Sequence, residues 1–105
     1  MNADEIFAQM PEAFLAEKAG KLSATFQFNL SGEGGGDWAV TVADGTCTVV
    51  EDQADKPDVT IGMDAGDFAK MISGDLQPVV AFMQGKIKLQ GDTSLALRLQ
   101  ELFAR

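Results

Sequence analysis

Residues 22–30, LSATFQFNL, alternate without a break: Leu22, Ala24, Phe26, Phe28 and Leu30 on one side, Ser23, Thr25, Gln27 and Asn29 on the other. A period of two belongs to the β-strand, whose successive side chains leave opposite faces of the sheet. The pattern recurs. Trp38, Val40 and Val42 oppose Ala39, Thr41 and Ala43; Cys47 and Val49 oppose Thr46 and Thr48. Val59, Ile61 and Met63 mark a fourth strand, and Ile87 and Leu89 alternate with Lys86, Lys88 and Gln90 in a fifth. A parallel sheet covered on both sides reads instead as continuous apolar runs. Five half-polar strands therefore predict helices on one face and water on the other, a two-layer α+β domain.

The intervening segments supply the helices. Ala3 to Gln9 carries Ile6 and Phe7 on one face, with Met10 next on the same side. Pro11 suits the first position of a second short helix bearing Phe14 and Leu15, which Gly20 closes in a left-handed conformation. SGEGGG at 31–36 is a turn, Asp44-Gly45 a two-residue hairpin, and Glu51 to Pro57 an acidic loop. The stretch GDLQPVVAFMQGKIKLQGD, residues 74–92, is the most heavily punctuated. Before it, Asp64 caps a helix carrying Phe68, Met71 and Ile72, which Gly74 stops. Pro78 then opens a short helix with Val79, Phe82 and Met83, which Gly85 stops. Asp92 or Thr93 caps the last helix, whose stripe is Leu95, Leu99, Leu102 and Phe103, with Leu97 off it.

At 105 residues the chain has room for one core, so residues 1–105 are expected to form a single domain. Its formal charge of −8 includes no basic run, which argues against nucleic acid and leaves at most transient contact with an anionic membrane. Histidine and tyrosine are absent, removing the commonest general base and metal ligand together. Cys47 is the single cysteine, so no internal disulfide or thiolate zinc site is possible, and its strand position predicts an inert thiol. Gly85-Lys86 is followed by Ile87 and enters a strand, unlike a phosphate-binding loop. Asp52, Asp55 and Asp58 lack the alternation and closing glutamate of a calcium loop. Asp64 and Asp67 are explained by capping and solvation. Asp4, Glu5, Glu12 and Glu17 interrupt any leader-like apolar run, and no stretch reaches membrane-spanning length. The expectation is a cytoplasmic chain with no catalytic residue, no cofactor and no metal.

The order of elements, the strand LSATFQFNLSG, the hairpin WAVTVADG and the segment PDVTIGMDAGDFAKMISGDLQPVVAFMQGKIKLQGD together resemble sterol carrier protein 2 (SCP2) domains. The family's spacing of Gly, Pro, Ala-Phe, Gly-Lys and Gly-Asp is matched by Gly74, Pro78, Ala81-Phe82, Gly85-Lys86 and Gly91-Asp92. The resemblance covers nearly the whole chain. It implies a five-stranded sheet with helices over one face and an apolar tunnel between the layers for fatty acid, fatty acyl-CoA or sterol-like lipid. Family members are carriers, or lipid-binding modules appended to enzymes. The end Phe103-Ala104-Arg105 lacks the peroxisomal tripeptide of eukaryotic carriers, which fits a stand-alone bacterial-type member.

The inward positions then become the expected tunnel lining. From the strands these are Phe26, Phe28, Trp38, Val40, Ile61, Met63, Ile87 and Leu89; from the helices, Phe68, Met71, Phe82, Met83, Leu95, Leu99 and Phe103. Lys86 and Lys88 alternate with Ile87 and Leu89 and so point to the solvent face. The expected function is non-catalytic lipid binding and transfer. The alternative is an accessory or dimerisation domain that meets a protein partner through its apolar surface.

Overall fold

A computed structural model describes residues 2–99 and 101–102. The five expected strands are present: β1 (Ala24–Ser31), β2 (Gly36–Ala43), β3 (Thr46–Val50), β4 (Val59–Asp64) and β5 (Ile87–Gly91). They form one sheet in the order β3-β2-β1-β4-β5. β1 runs parallel to β4; the other three pairings are antiparallel. The β2–β3 turn has positive φ at both central residues, Asp44 (53°) and Gly45 (75°), as the right-handed strand twist demands.

The inner face follows the period of two. Phe26, Phe28, Leu30, Val40, Val42, Val59, Ile61 and Met63 are all buried. The outer face is mainly polar, yet two of its residues are buried as well, Gln27 and its cross-strand neighbour Ala39. The chain must travel from β3 at one edge past β2 and β1 to reach β4, and residues 51–58 make that crossing over the outer face. Gln27 pins them there. Its Nε2 donates to the Asp52 carbonyl (3.2 Å) and its Oε1 accepts from the Ala54 N–H (2.8 Å). At the landing point Asp58 accepts from the Thr25 N–H (2.7 Å), and the Asp58 N–H donates to the Thr25 carbonyl (2.9 Å).

All helices lie over the inner face. Helix α1 (Ala3–Ala13) opens with a capping box between Asn2 and Glu5 and buries Ile6, Phe7 and Met10. It runs through Pro11 instead of ending before it, which corrects the expected break. Pro11 costs the helix one hydrogen bond in its last turn, a local penalty outweighed by the stripe buried one turn earlier. Phe14 and Leu15 lie between helices rather than on the second one, α2 (Ala16–Ala19). Gly20 closes α2 with φ 57° and ψ −121°, a positive φ outside the left-handed helical region that was expected.

Helix α3 (Ala65–Ser73) is capped by Asp64, which accepts from the N–H groups of Gly66 (2.8 Å) and Asp67 (3.2 Å). Gly74 ends it at φ 91°. Helix α4 (Pro78–Met83) has proline at its start and ends through Gly85 at φ 76°. There the Lys86 N–H reaches the Ala81 carbonyl (2.9 Å) and the Gly85 N–H that of Phe82 (3.1 Å), so the last carbonyls are satisfied. Helix α5 (Thr93–Leu99) starts at Asp92, whose carboxylate is held below its ordinary range chiefly by the Ser94 hydroxyl. The Arg98 guanidinium ties α5 to α2 by donating to the Lys18 and Ala19 carbonyls (3.4 and 3.3 Å). No helix among the described residues is long and apolar enough to cross a membrane.

Candidate functional site

The two halves of the inner face are covered differently. Over β1–β3, α1 packs directly on the sheet, and Phe7 is its keystone. Its ring stacks on Trp38 (centroids 4.6 Å apart, 12° between planes) and on Phe68 (5.2 Å, 9°), and meets Phe28 edge-on (5.3 Å). Such a cluster adds roughly 0.5–1.5 kcal/mol per aromatic pair beyond its burial.

Over β4 and β5 the layers meet only in part. The sheet register aligns Phe28 with Ile61 and Ile61 with Leu89, so three strands contribute one apolar row; Ile87 extends it next to Met63. Above this floor stand Ile6, Met10 and Ala13 of α1, Phe68, Met71 and Ile72 of α3, Val79 and Phe82 of α4 and Ala96, Leu97 and Leu99 of α5. They enclose a cavity of about 670 Å³. Its most exposed lining residues, Val79 (61%) and Phe82 (55%) of α4 and Leu97 (65%) of α5, mark its mouth. Gln9 and Thr93 are the polar side chains among its described lining, and no charged one joins them.

Of the expected lining, Phe28, Ile61, Phe68, Met71, Phe82, Ile87, Leu89 and Leu99 are brought together around this space. Phe26, Val40 and Met63 are buried in the core, and Trp38 is buried in the aromatic stack. Leu95 packs against the core without reaching the cavity. Met83, also expected there, is 79% exposed and is not among the residues around this space. Phe103 lies outside the described residues. Alternation identifies which side chains point inward; it does not tell which of these a helix will cover.

Sequence reasoning missed the roof. Ile6, Met10 and Ala13 repeat at helical spacing on the face of α1 recognised as apolar, and continuing that stripe past Pro11 finds them. Ile72 and Val79 were legible as apolar helix positions. Leu97, set apart as off the stripe, sits at the mouth.

The cavity's electrostatics are those of hydrocarbon. Lys86 and Lys88 are exposed, on the side of β5 opposite Ile87 and Leu89. Cys47 lies on β3, at the far edge of the sheet, and burial pushes its thiol up to about 11, so it carries no thiolate near neutral pH. Among the described residues, its lining holds no paired acid and base and no nucleophile beside one. What it offers chemically is desolvation of an apolar guest.

Comparison with known proteins gives the same frame. The model of the SCP-2 sterol transfer family matches residues 3–104. Hydroxysteroid dehydrogenase-like protein 2 of Xenopus tropicalis is 40% identical over 96 residues, covering 90% of this chain and 23% of that protein. The chain spans about a quarter of the length of the curated relatives it matches. The solution structure of palmitated SCP2L2 from Aedes aegypti superposes with a TM-score of 0.76 at 27% identity, covering 96% of this chain and 93% of that one. The sec-alkylsulfatase Pisa1 of Pseudomonas sp. shares the fold, with a TM-score of 0.83 at 22% identity, over 100% of this chain and 17% of its own.

Proposed function

We propose that this chain, which belongs to the SCP-2 sterol transfer family, binds and transfers a lipid held in the cavity between sheet and helices, without catalysing a reaction on it. The observation that carries the proposal is the cavity itself, about 670 Å³ with a lining apolar but for Gln9 and Thr93. A void of this kind is expensive. At ~24 cal/mol per Å³ a dry cavity of that size forfeits about 16 kcal/mol, against the ~5–15 kcal/mol that holds a domain folded. The open mouth admits water and makes the figure a ceiling, yet a hydrocarbon guest relieves the same deficit. About 10 buried methylenes supply on the order of 8 kcal/mol before the costs of association.

The palmitated relative supports a long acyl chain as guest. Fatty acid and fatty acyl-CoA are accordingly the favoured classes, with a sterol-like lipid as the bulkier option. With no charged group in the lining among the described residues, a carboxylate or CoA head group stays at the mouth. The domain works as a carrier in the cytoplasm, or as the lipid-holding module of a larger protein, the setting in which its relatives' much greater length places the matched segment. Native mass spectrometry of protein purified without organic extraction tests this. Adducts that organic solvent releases as lipid are expected; a spectrum of the bare chain alone overturns it.

A further inference from the structure

Among the described residues, the cavity lining is hydrocarbon apart from the amide of Gln9, the hydroxyl of Thr93 and two thioethers, Met10 and Met71. The thioethers are the groups there that are nucleophilic without first losing a proton. The fold fixes where they stand. Phe7 of α1 and Phe68 of α3 stack with centroids 5.2 Å apart. Met10 and Met71 each follow their phenylalanine by three residues, on the same helix face one turn along. The stacked rings thus anchor the two helix turns whose methionines line the cavity.

These two methionines differ from the others that the structure describes. Met10 is 9% exposed and Met71 half-buried, both in the lining. Met63 is buried in the core and Met83 is 79% exposed, neither in the lining. A water-soluble peroxide oxidises methionine in order of exposure, Met83 first. An oxidant that arrives as the guest meets Met10 and Met71 first. Leucine fills such positions at similar volume; what methionine adds is an unbranched, polarizable sulfur that follows a flexible guest.

We propose that Met10 and Met71 are modification sites, at which an acyl-chain hydroperoxide held in the cavity is reduced to its alcohol while the thioether becomes a sulfoxide. The thioether sulfur attacks the distal oxygen of the O–O bond, and that bond breaks. The sulfur supplies both electrons and keeps the distal oxygen. The proximal oxygen leaves with the bonding pair and takes the proton that the distal oxygen sheds. Hydroperoxide and thioether thus give alcohol and sulfoxide, with no other reactant. Holding the peroxide beside the sulfur replaces a chance encounter in solution. Each sulfur reacts once, so the cavity acts as a stoichiometric trap and not as a catalyst. The proposal rests on the cavity holding lipid, as proposed above.

The test treats the delipidated full chain with linoleic acid hydroperoxide or with hydrogen peroxide, and locates each added oxygen by peptide mass spectrometry. With the lipid hydroperoxide, Met10 and Met71 should oxidise at least ~10-fold faster than Met83. With hydrogen peroxide Met83 should lead. Excess palmitate should protect Met10 and Met71 from the lipid hydroperoxide and leave Met83 oxidation by hydrogen peroxide unchanged. One molecule of hydroxy acid should appear for each sulfoxide. Met10→Leu combined with Met71→Leu should lower its yield at least ~10-fold while still binding a fluorescent acyl probe. Met71→Leu alone, which serves if the double variant unfolds, should yield about one hydroxy acid per chain instead of about two. Oxidation led by Met83 under both peroxides overturns the proposal, as do sulfoxides formed without hydroxy acid and a yield that neither variant lowers. Displacement of the acyl probe by linoleate separates the two readings. If linoleate displaces it and Met83 still leads, the trap fails and lipid binding stands; if linoleate displaces nothing, both fall.

Discussion

Ala96 sits in the middle of α5, half-buried, and lines the cavity. Replacing it with tryptophan puts a large ring into empty space rather than into a packed core. A tryptophan buries roughly 200 Å² when fully enclosed. In an open-sided cavity about half of that is gained, worth ~2.5 kcal/mol at 25 cal/mol per Å². The lower helix propensity of tryptophan takes back about 0.5 kcal/mol. The net of ~2 kcal/mol corresponds to a rise in Tm of about 10 °C in a domain of this size. The same ring excludes the guest. If it displaces the equivalent of ~4 methylenes, lipid binding loses about 3 kcal/mol, roughly 100-fold in Kd. The two readouts move oppositely: delipidated Ala96→Trp should melt higher than the parent in calorimetry, and should bind palmitate far more weakly in displacement of a fluorescent acyl probe. Ordinary core residues do not behave so, because overpacking them costs ~1–3 kcal/mol. A lower Tm for Ala96→Trp, or palmitate binding equal to that of the parent, refutes the reading of this space as an open lipid site.

Trp38 emission should respond little to palmitate, since its ring is buried against Phe7 and does not line the cavity; Phe82→Trp in a Trp38→Phe background should shift to the blue instead. Gln27→Leu removes both hydrogen bonds that pin the crossing loop, at a cost of about 2 kcal/mol in urea unfolding, with faster proteolysis within residues 51–58. Gly91→Ala drives a Cβ into the Asp58 carbonyl oxygen at φ 96°, and should destabilise the β4–β5 edge by at least ~2 kcal/mol in the same assay. Alkylation of Cys47 at pH 8 should run about 100-fold slower than that of an unhindered thiol with a pKa of 9.0. Because the folded-state value is raised, the stability linked to this thiol is full below pH 9 and is lost as pH climbs from 9 towards 11.

The strands were legible because a period of two is local: each residue's neighbours state which way it points. The ends of α3 and α4 were legible for the same reason, since Gly74 and Gly85 are needed where φ turns positive and Pro78 where an N–H is dispensable. Burial of Gln27 was not, because its partners arrive from a loop whose path depends on β4 pairing beside β1 rather than beside β3. The continuation of α1 through Pro11 was hidden too, since a one-bond local penalty is outweighed by Ile6, Phe7 and Met10 packing on elements far along the chain. The cavity falls between these cases. The floor residues Ile61, Ile87 and Leu89 were readable as inward, and so were Phe26 and Val40, which the cavity does not touch. What separates them is coverage: an eleven-residue helix packs three large buried side chains over one half of the sheet, whereas the other lies under a six-residue helix anchored by Ala81 and a seven-residue helix with no fully buried side chain. The slot is therefore a shortfall of inward side-chain volume on α4 and α5, and a sequence reading that sums that volume strand by strand, instead of only marking direction, locates such a site.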